Sequence, residues 1–278
     1  MSNISFHESE NISLYLDNLT LIDQASSSLQ NVQLFMHPQL GKVLIINDEV
    51  QHIERWIPYY HEAIVHIPIM FLKSPERVLI LGGGDLFAAF EALKYTTVKK
   101  VVLCDYDENV ISLTEKYYSH ARSVLSDSRF NLVIQDARDY IKTCNEKFDL
   151  IIDDCFNLVN DFDSSSIFSI LKSLLSPDGL CSSLIYRHVF DSEIMRRTYY
   201  RLINQHKTVL SLVTVPEYPG ILHLLTIWGT SKNLSQELTE SINIEHGVIS
   251  STCGLFNSKF CRYYLYLPNY IKAVIKEF

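Results

Sequence analysis

The chain has 278 residues, 47% of them hydrophobic and 20% charged, and carries a formal net charge of −8. This length predicts one large packed domain, or a main domain with a smaller additional unit, and the negative charge disfavours a nucleic acid polymer as partner. No apolar run approaches the roughly 18 residues of a membrane span, and the N-terminal residues lack a signal-peptide pattern, so we expect a cytoplasmic protein without a membrane partner. The six cysteines form no C-x-x-C pair, and we expect reduced thiols and no metal site.

The first part of the chain is strand-like from about Leu14 to Trp56. Apolar residues alternate with other side chains over residues 32–36, a turn follows at 37–42, and a second strand begins there. This pattern predicts a small antiparallel β domain, which we assign to residues 1–58, followed by a second domain over residues 59–278. A helix interrupted near Pro68 opens the second domain.

After Arg77 short apolar runs alternate with amphipathic segments. Strands are predicted at the following segments: 77–81, 99–107, 130–137, 148–154, 180–186, 209–215 and 223–229. Helices are predicted over 85–95, 108–121, 164–179 and 191–206, with a terminal helix over 268–278. Strands that alternate with helices predict an α/β fold with a Rossmann-like, doubly wound and mainly parallel sheet.

Three adjacent glycines, Gly82, Gly83 and Gly84, follow the first of these strands and precede Asp85. A strand, a glycine turn and a helix are typical of a nucleoside or anion site, because glycine lets the backbone turn tightly beside a ligand. Further carboxylates end the next three strands, at Asp105, Asp136 and the pair Asp153–Asp154. Ligands bind at this edge of open α/β sheets. An acidic lining repels the pyrophosphate of a dinucleotide and suits the sulfonium and ammonium groups of an S-adenosylmethionine-type donor.

These segments together resemble the spermidine/spermine synthase family of aminopropyltransferases. Residues 41–69 are similar to the family's strand, turn and Tyr-Gln-Glu segment, with His61 in place of the glutamine. Residues 78–85 are similar to its GGGDGG loop, and the segments 103–111, 148–158 and 214–220 resemble three further motifs. The spacing of these motifs is retained without a gap from Gln30 to Asn157.

The resemblance implies a set of donor-binding residues: Gln30, Gln51, Gly82, Gly83, Gly84, Asp85, Asp105, Asp136, Ala137 and Asp154. Within this set, Asp105 is implied to hold the ribose, Asp136 and Ala137 to flank the adenine, and Asp85 to bind the amino group of the donor. The donor is then S-adenosylmethionine or its decarboxylated form.

The resemblance also implies the chemistry of transfer. Asp154, Tyr60 and Tyr218 match residues around the reacting centre, with Asp154 orienting an attacking amine and taking its proton. Attack on the carbon chain of the sulfonium releases methylthioadenosine.

The acceptor side departs from the family pattern. Two loop glycines are replaced by Leu86 and Phe87, which either reshape the wall beside the donor or begin the helix and pack into the core. An aspartate expected in the family is replaced by Asn157, and the strand that carries a polyamine-binding acid has Tyr186 and Arg187 instead. We therefore expect an acceptor with an anionic group, bound by His61, Asn157, Tyr186 and Arg187.

One branch of the family fits this expectation, the transferase that adds an aminopropyl-type group to the nucleotide phosphate of the antibiotic microcin C. The acceptor is then a small molecule or a modified peptide. Three alternatives remain: a polyamine synthase with an altered acceptor pocket, a methyltransferase on the same sheet, and a non-catalytic nucleoside-binding homologue. The N-terminal β domain with its two glutamines disfavours the methyltransferase. The retained aspartates disfavour the non-catalytic homologue. We also expect a homodimer, because the resemblance implies association.

Overall fold

The computed structural model describes residues 2–9, 12–155, 164–188, 207–219, 221–232, 234–236 and 249–276. The predicted helix over 191–206 lies outside these residues. Within the described part of the chain, two β-sheets account for the predicted strands.

The N-terminal sheet is antiparallel, with its strands in chain order. Its strands are β1 (Ser2–Ser9), β2 (Ile12–Ser26), β3 (Asn31–His37), β4 (Gly41–Ile46) and β5 (Glu49–Ile53). Asn47 and Asp48 connect β4 to β5 with φ angles of 51° and 65°, which is the conformation that the two central residues of a type I′ hairpin require. The strand β1 was not predicted, because its polar sequence lacks a clear apolar alternation.

The second sheet contains seven strands in the described part of the chain, in the order β11-β12-β10-β9-β6-β7-β8. These strands are β6 (Arg77–Leu81), β7 (Lys100–Asp105), β8 (Phe130–Ile134), β9 (Phe148–Asp153), β10 (Leu175–His188), β11 (Lys207–Val213) and β12 (Ile221–Gly229). Neighbours from β10 to β8 pair in parallel, and β12 pairs antiparallel with both β10 and β11. The predicted Rossmann-like fold class, with an N-terminal antiparallel sheet, is confirmed.

Helices pack against both faces of this sheet. They are α1 (Ile57–Ile69), α2 (Phe87–Leu93), α3 (Glu108–Tyr117), α4 (Ser119–Ser126), α5 (Ala137–Thr143), α6 (Ser164–Leu174), α7 (Cys261–Tyr264) and α8 (Asn269–Lys276). The single helix predicted over 108–121 is wrong: Tyr118 has extended angles (φ −122°, ψ 128°) and separates α3 from α4. Its hydroxyl lies 2.9 Å from His52 Nε2 in the N-terminal sheet, and this contact accompanies the break. No helix in the described ranges is long and apolar enough to cross a membrane.

Apolar residues of both sheets pack together in one core cluster. Val32, Leu34 and Leu44 of the N-terminal sheet pack in the same buried cluster as Val78 and Ile80 of the central strand β6. This packing fixes the N-terminal sheet over the carboxyl ends of the parallel strands, which is where open α/β sheets bind ligands.

Candidate active site

The glycine loop after β6 is closely approached by two neighbouring strand ends. Gly82 and Gly83 have φ angles of 83° and 74°, a conformation that residues with a side chain rarely adopt. A Cβ atom on Gly82 would lie 2.9 Å from Cys155 Cβ, and one on Gly84 would lie 2.9 Å from Asp105 Oδ2. The three glycines are therefore required by backbone geometry and by contact, and they keep the loop open to a ligand.

The residue after Asp85 also has a left-handed backbone. Leu86 has φ 64° and ψ 5° directly before α2, and its side chain is fully buried in the main core. A glycine would adopt this conformation without strain, whereas for leucine it costs about 1–2 kcal/mol. Burial of the leucine side chain offsets this strain. Leu86 is thus a core residue, as one of the two sequence-based alternatives states.

The second residue of that pair is also a buried core residue and does not line the cleft. Phe87 begins α2 and stacks on His120 with ring centroids 3.6 Å apart. It also contacts the rings of His52, His61 and Tyr118 at 5.2–5.6 Å. Phe87 therefore starts the helix and packs among imidazole rings, which is the same core alternative.

Asp85 is held by two of these imidazoles. His61 Nε2 lies 3.1 Å and His52 Nδ1 3.2 Å from Asp85 Oδ2. The other nitrogen of His61, Nδ1, lies 3.1 Å from the carbonyl oxygen of Ile57. A carbonyl and a carboxylate both accept, so both ring nitrogens of His61 donate and the ring is an imidazolium.

The acid–base properties of this pair agree with that assignment. Burial opposes the charge on His61, but the Asp85 carboxylate outweighs it and raises the pKa of His61 to about 9. Burial likewise opposes the charge on Asp85, and the two histidines hold its pKa well below the usual range. The site therefore contains a buried ion pair at the position where the family resemblance implies a carboxylate for the amino group of the donor.

Asp154 lies at the end of β9, opposite the N-terminal half of α1. Its Oδ1 accepts a hydrogen bond from the Tyr60 hydroxyl. Burial raises the pKa of Asp154 to about 7, against the lowering effects of the Tyr60 hydrogen bond and the His61 charge. A carboxyl group with this pKa exchanges its proton near neutral pH, which suits a general base.

The strand ends of β7 and β8 form the other side of the site. Asp105 accepts hydrogen bonds from Gly84 N at 3.0 Å and Asp107 N at 2.9 Å, so its carboxylate is fixed at the mouth of the loop. Burial raises the pKa of Asp105. Asp136 caps α5 by accepting from Arg138 N at 2.7 Å, and Ala137 next to it is buried.

Residues of the N-terminal sheet and of the segment 214–220 complete the wall of the cleft. Gln30 Nε2 donates to the hydroxyl of Tyr106 at 2.5 Å, and Gln51 faces the cleft. Tyr218 donates its hydroxyl to Val50 O at 2.6 Å.

One cleft of about 880 Å³ gathers most of the predicted site residues. It is lined by Gln30, Gln51, Tyr60, His61, Gly82, Gly83, Gly84, Asp85, Asp105, Asp136, Ala137, Asp154 and Tyr218. Asn157 lies outside the described residues. For Tyr186 and Arg187 the structure gives only the backbone of β10, which pairs with β12 at His223 and Leu222; their side chains lie outside the described part.

Sequence reasoning missed His52 and Glu217, which line this cleft, and His120, whose Nε2 lies 2.8 Å from the carbonyl oxygen of Asp85 outside it. His52 and His120 were not predicted, because each is a single histidine in an ordinary strand or helix segment. Glu217 was also missed, although it stands where the family motif that residues 214–220 resemble has a threonine. Its side chain is buried, its Oε1 accepts from Ile53 N at 3.1 Å, and its Oε2 has no hydrogen-bond partner in the described ranges. That substitution was the available signal.

Comparison with known proteins agrees with the geometry. Residues 57–239 match the family model described as the spermine/spermidine synthase domain. A polyamine aminopropyltransferase of Buchnera aphidicola subsp. Acyrthosiphon pisum is 31% identical over 253 residues, which cover 88% of each protein. The thermospermine synthase ACAULIS5 of Arabidopsis thaliana is 34% identical over 170 residues, 58% of this chain and 49% of that protein, so this chain matches about half the length of that relative.

Two further similarities are informative. Putrescine N-methyltransferase 2 of Nicotiana tabacum is 30% identical over 210 residues, 72% of this chain and 58% of that protein. A solved spermidine synthase in complex with the transition-state analogue AdoDATO superposes with a TM-score of 0.84 and 24% identity, covering 99% of this chain and 94% of that one. Because the family model covers more than half of the chain, and a relative above 30% identity covers most of it, the chain belongs to the spermine/spermidine synthase family and is a spermidine-synthase-like transferase.

Proposed function

We propose that the protein transfers a 3-amino-3-carboxypropyl group from S-adenosylmethionine to an acceptor with an anionic group, a nucleotide phosphate. An acceptor oxygen attacks the methylene carbon of the aminocarboxypropyl chain that is bonded to the sulfonium sulfur. The carbon–sulfur bond breaks, sulfur keeps the electron pair, and methylthioadenosine leaves as a neutral product. An anionic oxygen needs no general base, so in this reaction ionised Asp154 adds negative charge that attracts the cationic donor, while Asp85 receives its amine.

The donor cleft supports the nucleoside part of this proposal. Asp105 is fixed by two backbone N–H groups and keeps room for ribose hydroxyls beside Gly84. Asp136 and Ala137 lie at the next strand end, where the family resemblance implies the adenine.

The buried ion pair of His61 and Asp85 is the observation that carries the choice of donor. The tail of S-adenosylmethionine is a zwitterion. It can exchange with the internal ion pair, so that Asp85 receives the ammonium and His61 receives the carboxylate, and each buried charge keeps a partner. The tail of the decarboxylated donor carries only an ammonium and no carboxylate. Its binding at Asp85 leaves the His61 imidazolium without its counter-ion, and an uncompensated buried charge costs about 3–5 kcal/mol.

The acceptor part of the proposal rests on the sequence. Asn157 replaces an acid that the family resemblance implies, and Arg187 adds a cation on the β10 strand, at the sheet edge that carries the cleft. A polyamine is a polycation and needs carboxylates along its length, whereas a guanidinium binds phosphate through charge-assisted hydrogen bonds.

A polyamine synthase is the second candidate, and Glu217 favours it. This buried carboxyl group lines the cleft and has a free oxygen among the described residues, so it can hold an acceptor amine in place of the acid lost at Asn157. The relative named as a polyamine aminopropyltransferase supports the same candidate.

Product analysis separates these candidates. The purified protein is offered S-adenosylmethionine or its decarboxylated form, each with a nucleoside monophosphate or with putrescine. The products are identified by mass spectrometry. Methylthioadenosine release reports transfer of the carbon chain, and S-adenosylhomocysteine release reports methyl transfer. We expect chain transfer from S-adenosylmethionine to the nucleotide and negligible turnover of putrescine. Rapid transfer to putrescine would replace the proposal with the second candidate.

A matched pair of variants tests the donor choice. His61→Gln restores the family residue and removes the buried cation, so we expect the preference for S-adenosylmethionine over the decarboxylated donor to fall at least about tenfold. Lys142→Gln removes an exposed positive charge on α5 and should leave the preference unchanged. An unchanged preference in both variants would reject the role of His61.

We also propose that the protein is a homodimer. Support comes from the family resemblance and from the small size of the N-terminal sheet. Light scattering that finds a monomer at all workable concentrations would refute this.

A further inference from the structure

We propose that His66, Glu91 and Cys253 form a zinc-binding site outside the transfer cleft. His66 Nε2, Glu91 Oε2 and Cys253 Sγ all lie within 4.8 Å of one another. The residues come from α1, from α2 and from the stretch that precedes α7, and none of them lines the cleft. Imidazole, carboxylate and thiolate are the three ligand types that zinc takes in proteins.

The spacing of the ligand atoms is close to that of a zinc tetrahedron. Zinc–ligand bonds of 2.0–2.3 Å at tetrahedral angles separate neighbouring ligand atoms by roughly 3.3–3.6 Å. His66 Nε2 lies 3.4 Å from Cys253 Sγ and 2.9 Å from Glu91 Oε2. The third pair, Glu91 and Cys253, lies within 4.8 Å, so movements of about an ångström at the ends of these side chains admit the ion, and solvent can supply the fourth ligand.

The orientation of His66 is fixed by a second contact. Its Nδ1 lies 3.0 Å from the hydroxyl of Tyr95, so Nε2 is the nitrogen that faces the carboxylate and the thiol. The ring is fully buried and packs against Phe256 at 4.8 Å. A metal-binding histidine is usually held in this way through its other nitrogen. A serine-protease-like relay does not fit, because the carboxylate and the thiol approach the same nitrogen.

Lys94 supplies the positive charge when no metal is bound. Its Nζ lies 2.5 Å from Glu91 Oε2 and 3.4 Å from Thr252 O. On binding, zinc replaces this ammonium at the carboxylate, and Lys94 turns toward solvent. Cys253 loses its thiol proton to solvent as the zinc–sulfur bond forms.

The ion would fasten the C-terminal stretch to the helix that carries Tyr60 and His61. Glu62 on the same helix already accepts hydrogen bonds from the backbone N–H groups of Gly254, Leu255 and Phe256 at 2.6–2.8 Å. Zinc would add a second attachment one helical turn further along. The site is therefore structural, with an effect on stability and not on the chemical step.

Cobalt(II) is the probe, because a thiolate ligand gives it a charge-transfer absorption band. The full-length protein, stripped of metal with a chelator, is titrated with Co²⁺ and then with Zn²⁺. We expect one equivalent of Co²⁺ to bind with a thiolate charge-transfer band, and Zn²⁺ to abolish that band. Cys253→Ser should lose the band and bind Zn²⁺ at least about tenfold more weakly. Cys144→Ser removes another half-buried thiol, which lies at the C-terminal end of α5 and packs against a different core cluster from α1 and α2, and this variant should behave as the unmodified protein.

Thermal unfolding provides a readout that does not depend on the cobalt spectrum. Zn²⁺ should raise the Tm of the unmodified protein and of Cys144→Ser, and should raise that of Cys253→Ser less, with circular dichroism confirming that each variant is folded. The proposal is overturned if no charge-transfer band forms, if the band survives in Cys253→Ser, or if Zn²⁺ stabilises that variant equally.

Discussion

The hydroxyl of Tyr60, on the first turn of α1, donates a hydrogen bond to the Asp154 carboxyl group at the end of β9. The two side chains are 94 residues apart in sequence and meet inside the cleft. The hydrogen bond stabilises the ionised carboxylate, and burial stabilises the neutral acid. Burial is the larger effect and raises the pKa of Asp154 to about 7.

Tyr60→Phe should therefore shift the pH dependence of donor binding. Ionised Asp154 attracts the cationic donor, so affinity for S-adenosylmethionine should rise as pH increases through about 7. Removal of the hydrogen-bond donor raises the pKa of Asp154 further, so the midpoint should move to higher pH. Calorimetry over a pH series measures this. Methylthioadenosine, which is neutral, is the control and should show a much weaker dependence; an unchanged midpoint in Tyr60→Phe would contradict the coupling.

Asp105→Ala should weaken binding of methylthioadenosine at least about tenfold, because two ribose hydroxyls lose a charged acceptor worth roughly 1.5–3 kcal/mol. Affinity is measured by calorimetry. Asp139→Ala removes an exposed carboxylate on α5 and serves as the control. Equal affinity in the unmodified protein and in Asp105→Ala would remove Asp105 from the site.

His61→Gln should change the pH dependence of stability. The folded-state pKa of His61 is about 9, above its ordinary value of 6.5, so its contribution is complete below pH 6.5 and is lost as pH rises through 9. Below pH 6.5 we expect the free energy of unfolding of the unmodified protein to exceed that of His61→Gln by roughly 1–3 kcal/mol. Above pH 9 the difference should be smaller. Urea unfolding at the two pH values tests this; a difference that does not shrink would argue against a charged His61.

Substitutions of Leu86 should separate backbone strain from burial. Leu86→Ala loses the buried side chain and keeps the left-handed strain, whereas Leu86→Gly loses the side chain and relieves the strain. We expect Leu86→Ala to be destabilised by about 2–5 kcal/mol, and Leu86→Gly to be about 1 kcal/mol more stable than the alanine variant. Chemical denaturation gives both values. A glycine variant less stable than the alanine variant would exclude strain at this position.

The local patterns that predicted the fold depend only on near neighbours along the chain. Alternation with a period of two marks a strand and a period near 3.6 marks a helix, so β6, β7 and β9 were predicted close to their observed ends. The position of Asp105 and Asp154 at one sheet edge followed as well, because the carboxyl ends of parallel strands meet there. The break at Tyr118 could not be predicted in this way, since it coincides with a contact to His52 in the other sheet.

The sequence by itself determined the fold class, the glycine loop and the acidic strand ends, because each depends on residues that are close together along the chain. Only the tertiary structure decided that Asp85 already has partners. His52 comes from β5, His61 from α1, and His120 from α4, and they meet around the Asp85–Phe87 segment because the N-terminal sheet packs over the loop. The charge of His61 depends on which acceptors face its two nitrogens, and that is a property of the packed chain and not of any segment.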